Sequence, residues 1–94
     1  MEINATYTNL IDLISKILLS LGVPHSVNPI WDGAQLCFKW ADNADAICHS
    51  GSYGHEELHV ETMGFPWDDE DVTELDAYDF IMKVYSLYAA SGQK

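Results

Sequence analysis

Apolar residues near the start of the chain recur every three or four positions, which is the spacing of one face of an α-helix. This pattern predicts a first helix over residues 6–21. Asn4 or Thr6 can cap its start, and Gly22 followed by Pro24 predicts its end. The predicted buried face consists of Tyr7, Leu10, Ile11, Ile14, Ile17, Leu18 and Leu21.

The middle of the chain changes to alternation of apolar and polar residues, which predicts antiparallel strands. The pair Asp32-Gly33 between two apolar runs predicts a tight hairpin turn, because both positions of such a turn need positive φ. With this turn, Val27 pairs with Phe38. One face of the hairpin then carries Val27, Trp31, Leu36, Phe38 and Trp40, and the other carries Ser26, Asn28, Gln35, Cys37 and Lys39.

Two further turns extend the predicted sheet. A turn at Asp42-Asn43 pairs Phe38 with Ile47 and Cys37 with Cys48. A turn at GSYG leads into the strand HEELHVETM. The alternation in this strand places Leu58 and Val60 on the core face, beside Ile47 of the preceding strand. The opposite face then holds His55, Glu57, His59 and Glu61, beside Cys48.

A second helical pattern covers residues 74–90, and Thr73 with Asp76 resembles a capping box at its start. Its predicted buried stripe is Ala77, Phe80, Ile81, Val84, Leu87 and Tyr88. The predicted fold class is therefore α+β, with the order helix, four-stranded antiparallel meander, helix. Residues 1–94 form one domain, and both helices pack on one face of the sheet.

Charge adds the strongest functional constraint. Fifteen acidic residues face four lysines and no arginine, which gives a net charge of −11. Direct nucleic-acid binding is excluded as a general function, because contacts to phosphate need Lys or Arg. Binding to an anionic membrane is disfavoured for the same reason. The expected partner is a basic protein surface, and the alternative explanation is that the charge maintains solubility.

The charge is most concentrated in FPWDDEDVTELDAYDF, residues 65–80, which hold seven carboxylates and no basic side chain. Acids in the first turn of a helix are stabilised by the helix dipole, but those that precede the helix repel one another. Closely spaced carboxylates resemble the phosphates of a nucleic acid, so we predict a partner-binding site here, with a solvated loop or a metal site as alternatives. Its residues are Trp67, Asp68, Asp69, Glu70, Asp71, Glu74, Asp76 and Asp79.

Trp67 immediately precedes the consecutive acids, and it has two interpretations. It is either a plug that docks the loop on the core or an exposed anchor for a partner, since tryptophan is enriched in binding hot spots. An EF-hand calcium loop is excluded for this segment, because the internal glycine and the glutamate at the twelfth position are absent.

A second candidate is CHSGSYGHEELH. The predicted register places Cys48, His55 and His59 on one face, and these are zinc-ligand types. No known zinc-finger spacing is present, so a surface of ordinary polar residues or a polar contact patch is the alternative, and we expect no cofactor. No nucleophile elbow, P-loop or HExxH motif occurs, so we do not expect an enzyme.

The first apolar stretch is interrupted by Asn9, Asp12 and Lys16, so it is neither a signal peptide nor a membrane span, and we expect a cytoplasmic protein. Two cysteines do not make a disulfide framework. The open sheet face, with Ile30, Cys37 and Met63 among polar residues, is a possible homodimer interface.

In size, acidity and predicted layout, with the words CHSGSYGHEE and MGFPWDDEDV, the chain resembles small acidic proteins of bacteriophages and mobile elements. The resemblance implies a DNA-mimic inhibitor of the anti-restriction or anti-CRISPR type, acting in the host cytoplasm on a nuclease, a CRISPR or restriction effector, or a repair enzyme. It assigns no residue a role. The alternatives are an immunity protein for a nuclease toxin and a small metal-binding or assembly module.

Overall fold

A computed structural model describes residues 4–70 and 73–92. The first helix, α1, spans Ala5–Ser20, and Asn4 caps it by accepting a hydrogen bond from the backbone N–H of Thr6 at 2.9 Å. Gly22 follows with a φ of +78°, a conformation that glycine adopts without steric cost. The predicted first helix and one of its two predicted caps are confirmed.

The sheet has five strands, each antiparallel to the next in chain order. Their bounds are β1 Ser26–Ile30, β2 Gly33–Phe38, β3 Ala44–Cys48, β4 Val60–Met63 and β5 Glu74–Leu75. The second helix, α2, spans Ala77–Ala90. The α+β class is confirmed, whereas the predicted number of four strands is wrong. Within the described residues, neither helix has the length and apolarity needed to cross a membrane.

The prediction missed the fifth strand because it began α2 at residue 74, whereas the helix begins at Ala77. Asp76 has an extended backbone and caps α2 by accepting a hydrogen bond from the backbone N–H of Asp79 at 2.8 Å. Glu74 and Leu75 therefore precede the helix and pair with Glu61 and Val60 of β4. The cap is Asp76 itself, not Thr73 as the predicted capping box had it.

Both helices pack on the sheet face that carries Leu36 and Phe38. Phe38 is fully buried, and its ring contacts the rings of His25, Trp40, Phe65 and Phe80. The predicted stripe of α2 is confirmed: Phe80, Ile81 and Val84 are buried, and Ala77, Leu87 and Tyr88 pack against them. The core therefore lies between the sheet and the two helices.

The first hairpin turns one position earlier than predicted. Trp31 and Asp32 form the turn, so that Ile30 pairs with Gly33 and Val27 with Leu36. Gly33 begins β2 at a position that requires glycine, since a Cβ there would overlap the carbonyl oxygen of Cys48. The register moves by two residues, which leaves Leu36 and Phe38 on the core face.

The predicted core position of Trp31 is wrong. Its φ is +53°, and 63% of its surface is exposed. Its ring stacks on that of His49, with the ring centres 5.1 Å apart. Trp40, also predicted on the strand face, lies instead in a single 3₁₀ turn, Lys39–Ala41, and packs on the core from there.

The second predicted turn is wrong in a way that exchanges the faces of β3. The Lys39–Ala41 turn and the left-handed residues Asp42 and Asn43 lengthen the connection, so Phe38 pairs with Ala44 and Cys37 with Asp45. The register differs from the predicted one by three residues, and an odd shift turns every side chain to the opposite face. Ala44, Ala46 and Cys48 consequently face the core, and Ile47 faces away.

The predicted last strand is also shorter than expected. His55–Glu57 form a single 3₁₀ turn, and Leu58 follows with a φ of +59°, so β4 begins only at Val60. Val60 is buried as predicted, whereas Leu58 is 38% exposed and not part of the core.

The corrected hairpin can be tested by mutation. We expect Phe38→Ala to lower the free energy of unfolding by about 3–5 kcal/mol, because it removes a buried ring from the core. Val27→Ala should cost less than about 1 kcal/mol, because Val27 is 41% exposed on an edge strand. Urea unfolding of both variants measures the difference, and equal losses would contradict the exposed position of Val27.

Candidate partner-binding site

Residues 65–80, here called the acidic segment, connect β4 to the first turn of α2. Pro66–Glu70 form a single 3₁₀ turn, and the segment then continues through β5 to the cap of α2. Of the predicted site residues, Asp71 and the side chain of Glu70 lie outside the described part of the structure. The remaining six divide into side chains that hold the segment in place and side chains that project from it.

Asp68 is turned into the fold. Its Oδ1 accepts a hydrogen bond from the hydroxyl of Thr62 at 2.6 Å, and its Oδ2 accepts one from the backbone N–H of Phe65 at 2.8 Å. Thr62 is buried in β4. These two hydrogen bonds hold the Pro66–Glu70 turn against the sheet. Hydrogen bonds to an ionised carboxylate are about twice as strong as those between neutral groups.

Trp67 is a docked side chain in this structure. Its ring stacks on that of Phe65, with centres 4.5 Å apart and planes at 7°, and its indole N–H donates to the hydroxyl of Thr62 at 3.2 Å. Phe65 is 2% exposed and contacts Phe38 and Phe80. The arrangement matches the plug interpretation, and the half-buried indole leaves part of its surface next to the acids.

Asp76 and Asp79 lie at the start of α2, whereas Asp69 lies in the Pro66–Glu70 turn, near the C-terminal half of the helix. Asp76 is committed to capping the helix. Asp69 and Asp79 are exposed, and their carboxylates accept no hydrogen bond from any described residue. Asp79 stands in the first turn of α2, where the helix dipole favours a negative charge.

Glu74 lies on the open face of the sheet and not beside the other acids of the segment. Its Oε1 is 3.6 Å from Nδ1 of His59, which becomes an ion pair when the imidazole is protonated. Its cross-strand neighbour is Glu61, and like charges placed directly opposite destabilise a sheet. Glu61 is compensated in turn by the backbone N–H of Tyr53, which donates to its Oε1 at 2.7 Å.

The twelve carboxylates whose side chains are described fall into two groups. Six have a hydrogen-bond or ion-pair contact: Asp32, Asp45, Glu61, Asp68, Glu74 and Asp76. Six are exposed and accept no hydrogen bond from a described residue: Asp12, Asp42, Glu56, Glu57, Asp69 and Asp79. Only the second group is free to bind a partner without first losing an internal contact.

The CHSGSYGHEELH region does not form the face that the sequence predicted. Cys48 is fully buried in the core, because of the register change in β3. His55 lies in its 3₁₀ turn, with its Nδ1 2.8 Å from the hydroxyl of Tyr7. The predicted alignment of Cys48, His55 and His59 is therefore wrong. Among the described residues, no three His, Cys, Asp or Glu side chains are grouped so that they could hold a metal ion.

Among the described residues, Asp32, Cys48 and Tyr7 have pKa values shifted from their ordinary values. The pKa of Asp32 is lowered, chiefly by the hydrogen bond from the backbone N–H of Ser50 at 2.9 Å. Burial, together with the charge of Asp32, raises the pKa of the Cys48 thiol to about 11. The pKa of Tyr7 is raised by loss of solvent contact and then by Asp32. Cys48 is therefore not an activated nucleophile, since a raised thiol pKa suppresses the thiolate.

A pocket with a volume of about 470 Å³ adjoins the acidic segment between the Lys39–Ala41 turn and the C-terminal half of α2. Asp68 and Asp69 reach it from the segment, and Asp42 reaches it from the turn after β2. The sequence does not reveal that Asp42 lines this pocket, because the pair Asp42-Asn43 is also typical of a tight hairpin turn. A clue to its position was available, since two consecutive residues that tolerate positive φ, Asp42 and Asn43, also suit a longer connection.

Comparisons with known protein families, with curated proteins and with solved structures found no match.

The opposite roles of adjacent aspartates give a direct test of the site. Asp68→Ala should lower the free energy of unfolding by about 1–3 kcal/mol, because it leaves the N–H of Phe65 and the hydroxyl of Thr62 without their acceptor. Asp69→Ala should change it by less than about 0.5 kcal/mol. Chemical denaturation measures both variants, and equal effects would contradict the inward orientation of Asp68.

Cysteine reactivity tests the corrected register of β3. At neutral pH we expect a maleimide reagent to label Cys37, which is half-buried on the open face, and to spare Cys48 until the protein is unfolded. The control is Cys37→Ser, which should remain unlabelled in the native state. Rapid labelling of Cys48 in that variant would contradict its place in the core.

Proposed function

We propose that this protein is a stoichiometric, non-catalytic inhibitor that binds the basic surface of a nucleic-acid-binding protein. The target class is a host nuclease, a CRISPR or restriction effector, or a repair enzyme. The single observation that supports the proposal most strongly concerns the acidic segment: the exposed carboxylates of Asp69 and Asp79 have no hydrogen-bond or ion-pair partner among the described residues, while Asp68 and Asp76 fix the backbone beside them.

This arrangement suits recognition because the free carboxylates stand on an ordered support. A partner that binds a preformed site does not have to order it, so less of the interaction energy is lost to conformational entropy. Asp69 and Asp79 would supply direct contacts, together with Glu70 and Asp71. Asp68 and Asp76 would act by positioning them, and Glu74 would contribute from the open sheet face.

Trp67 supports the proposed interface from a docked position and is not a fully exposed anchor. Its ring is already stacked on Phe65, and Nζ of Lys83 lies 5.8 Å from the centre of the ring. It would therefore give the interface a rigid apolar edge beside the charges. Its truncation would affect binding mainly by loosening the acidic segment, as the Thr62 hydrogen bond is lost with the indole.

The net charge of −11 makes the proposed association electrostatically steered. A groove that binds nucleic acid is lined with Lys and Arg, and it normally meets about one phosphate charge per 1.7 Å of duplex axis. A carboxylate surface that occupies such a groove displaces the nucleic acid. Because exposed charges are screened over about 8 Å at physiological ionic strength, the complex should weaken steeply as salt rises.

The same surface would serve an immunity protein that neutralises a nuclease toxin. The two functions have one physical mechanism and differ in the partner, so the identity of the captured protein distinguishes them.

Charge reversal tests the proposed surface. We expect immobilised protein to retain a nucleic-acid-binding protein from a nuclease-treated bacterial lysate in stoichiometric amount and to release it at moderate salt. The double variant Asp69→Lys/Asp79→Lys should weaken binding of the captured protein by at least about tenfold, because it replaces two proposed contact charges with charges that repel a basic surface. Isothermal titration with the purified partner measures this loss.

The matched control is Asp12→Lys/Glu57→Lys, which changes the net charge equally at exposed carboxylates outside the acidic segment. It should change the affinity by no more than about threefold, through long-range attraction alone. Equal melting temperatures for the two double variants exclude unfolding as the cause. If the segment variant binds as well as the parent, the proposed surface is wrong.

A further inference from the structure

We propose that the pocket beside the acidic segment receives an arginine side chain of the partner protein. This inference rests on the proposed function and names the chemistry that the partner brings to the site. The occupant is argued from the lining of the pocket, whose apolar wall and charged rim match the two parts of an arginine side chain.

The wall of the pocket is apolar and largely fixed by the core. Phe65 is buried between Phe38 and Phe80, and Trp40 packs edge-on against Phe38 and Tyr88. The indole N–H of Trp40 donates to the carbonyl oxygen of Pro24 at 2.7 Å, which holds the ring in place. The half-buried Trp40 and Leu87 offer a surface on which the aliphatic stem of a long side chain can pack, and the buried Phe65 lies behind them.

The rim of the pocket is acidic. Asp42, Asp68 and Asp69 line it, and no Lys, Arg or His is among the described residues that do so. Both carboxylate oxygens of Asp68 already accept hydrogen bonds, but those of Asp42 and Asp69 accept none from described residues. Two carboxylates with free acceptor positions and a third negative charge beside them are complementary to a guanidinium group.

The neighbouring grooves lack this combination. One is lined by Trp40 with Lys39 and His25, and another by Trp67 and Leu87 with Lys83, so each already contains a basic group. A fourth groove has Glu56, Glu57 and Glu74, but it also contains His55, and Glu74 is already in contact with His59. Among the described grooves, the one at Asp42 and Asp69 is therefore the best suited to a cationic side chain with an apolar stem.

Arginine fits the pocket better than lysine. The guanidinium group is planar and less strongly hydrated than an ammonium group, so it stacks on aromatic rings and gives up water more readily. It also presents five N–H donors, which can serve separated carboxylates at once.

The test uses three short peptides, acetyl-Gly-Xaa-Gly-amide with arginine, citrulline or lysine at the centre, titrated into the isotopically labelled protein. Citrulline keeps the shape of arginine without its charge. We expect the arginine peptide to bind weakly and to shift the amide resonances of Asp42, Gly64 and Asp69. The citrulline peptide should bind about tenfold more weakly, because it lacks the charge-assisted hydrogen bonds.

The variant for this test is Asp42→Asn, which keeps the side-chain shape and tolerates the left-handed backbone at this position. It should weaken the arginine peptide about fivefold, as expected for a partly exposed charge contact. The control, Asp12→Asn on α1, should leave binding unchanged within twofold. Equal binding of the citrulline peptide, unchanged binding to Asp42→Asn, or shifts that map elsewhere would overturn the pocket. Equal binding of the lysine peptide would overturn the preference for arginine.

Failure of this inference can be told apart from failure of the proposed function, because Asp42 lies outside the acidic segment. A partner whose affinity falls with Asp69→Lys/Asp79→Lys but which is indifferent to Asp42→Asn would overturn the pocket alone. Arginine-specific peptide binding without any captured basic partner would overturn the proposed function and leave the pocket standing.

Discussion

The contact of Phe65 with Phe38 and Phe80 is the interaction on which the presentation of the acidic segment depends. Burial of one large apolar side chain contributes about 1.5–3 kcal/mol. Water and salt weaken the repulsion between exposed carboxylates, and the buried ring and the hydrogen bonds of Asp68 act against what remains. The buried ring therefore holds the described part of the segment against the core, although the segment contains no base to neutralise its acids.

The carboxylates beyond this anchor serve two purposes. Asp68 and Asp76 accept hydrogen bonds from backbone N–H groups, Asp68 at the Pro66–Glu70 turn and Asp76 at the start of α2. These two carboxylates therefore stabilise the local backbone. Asp69, Asp79 and Asp42 do not contribute to the fold in this way. Asp42 and Asp69 both line one pocket, an arrangement that a role in solubility alone does not require.

Sequence reasoning recovered the helices and the fold class because each depends on local periodicity. The strand register was wrong where a distant contact decided it. Gly33 looked like a turn glycine, but its place is set by the carbonyl of Cys48, and the inserted turn at Lys39–Ala41 shifted β3 by an odd number of residues. In the same way, no local pattern distinguishes the inward Asp68 from the outward Asp69, because the acceptor role of Asp68 depends on Thr62 in β4.

A competition measurement tests the proposal that this protein occupies a surface that otherwise binds nucleic acid. A fluorescent DNA duplex is bound to the captured partner, and this protein is added at constant ionic strength while fluorescence anisotropy is recorded. If the account is correct, the duplex is released in proportion to the protein added, and addition of more duplex reverses the effect. A stable ternary complex, with the anisotropy rising on addition, would contradict it.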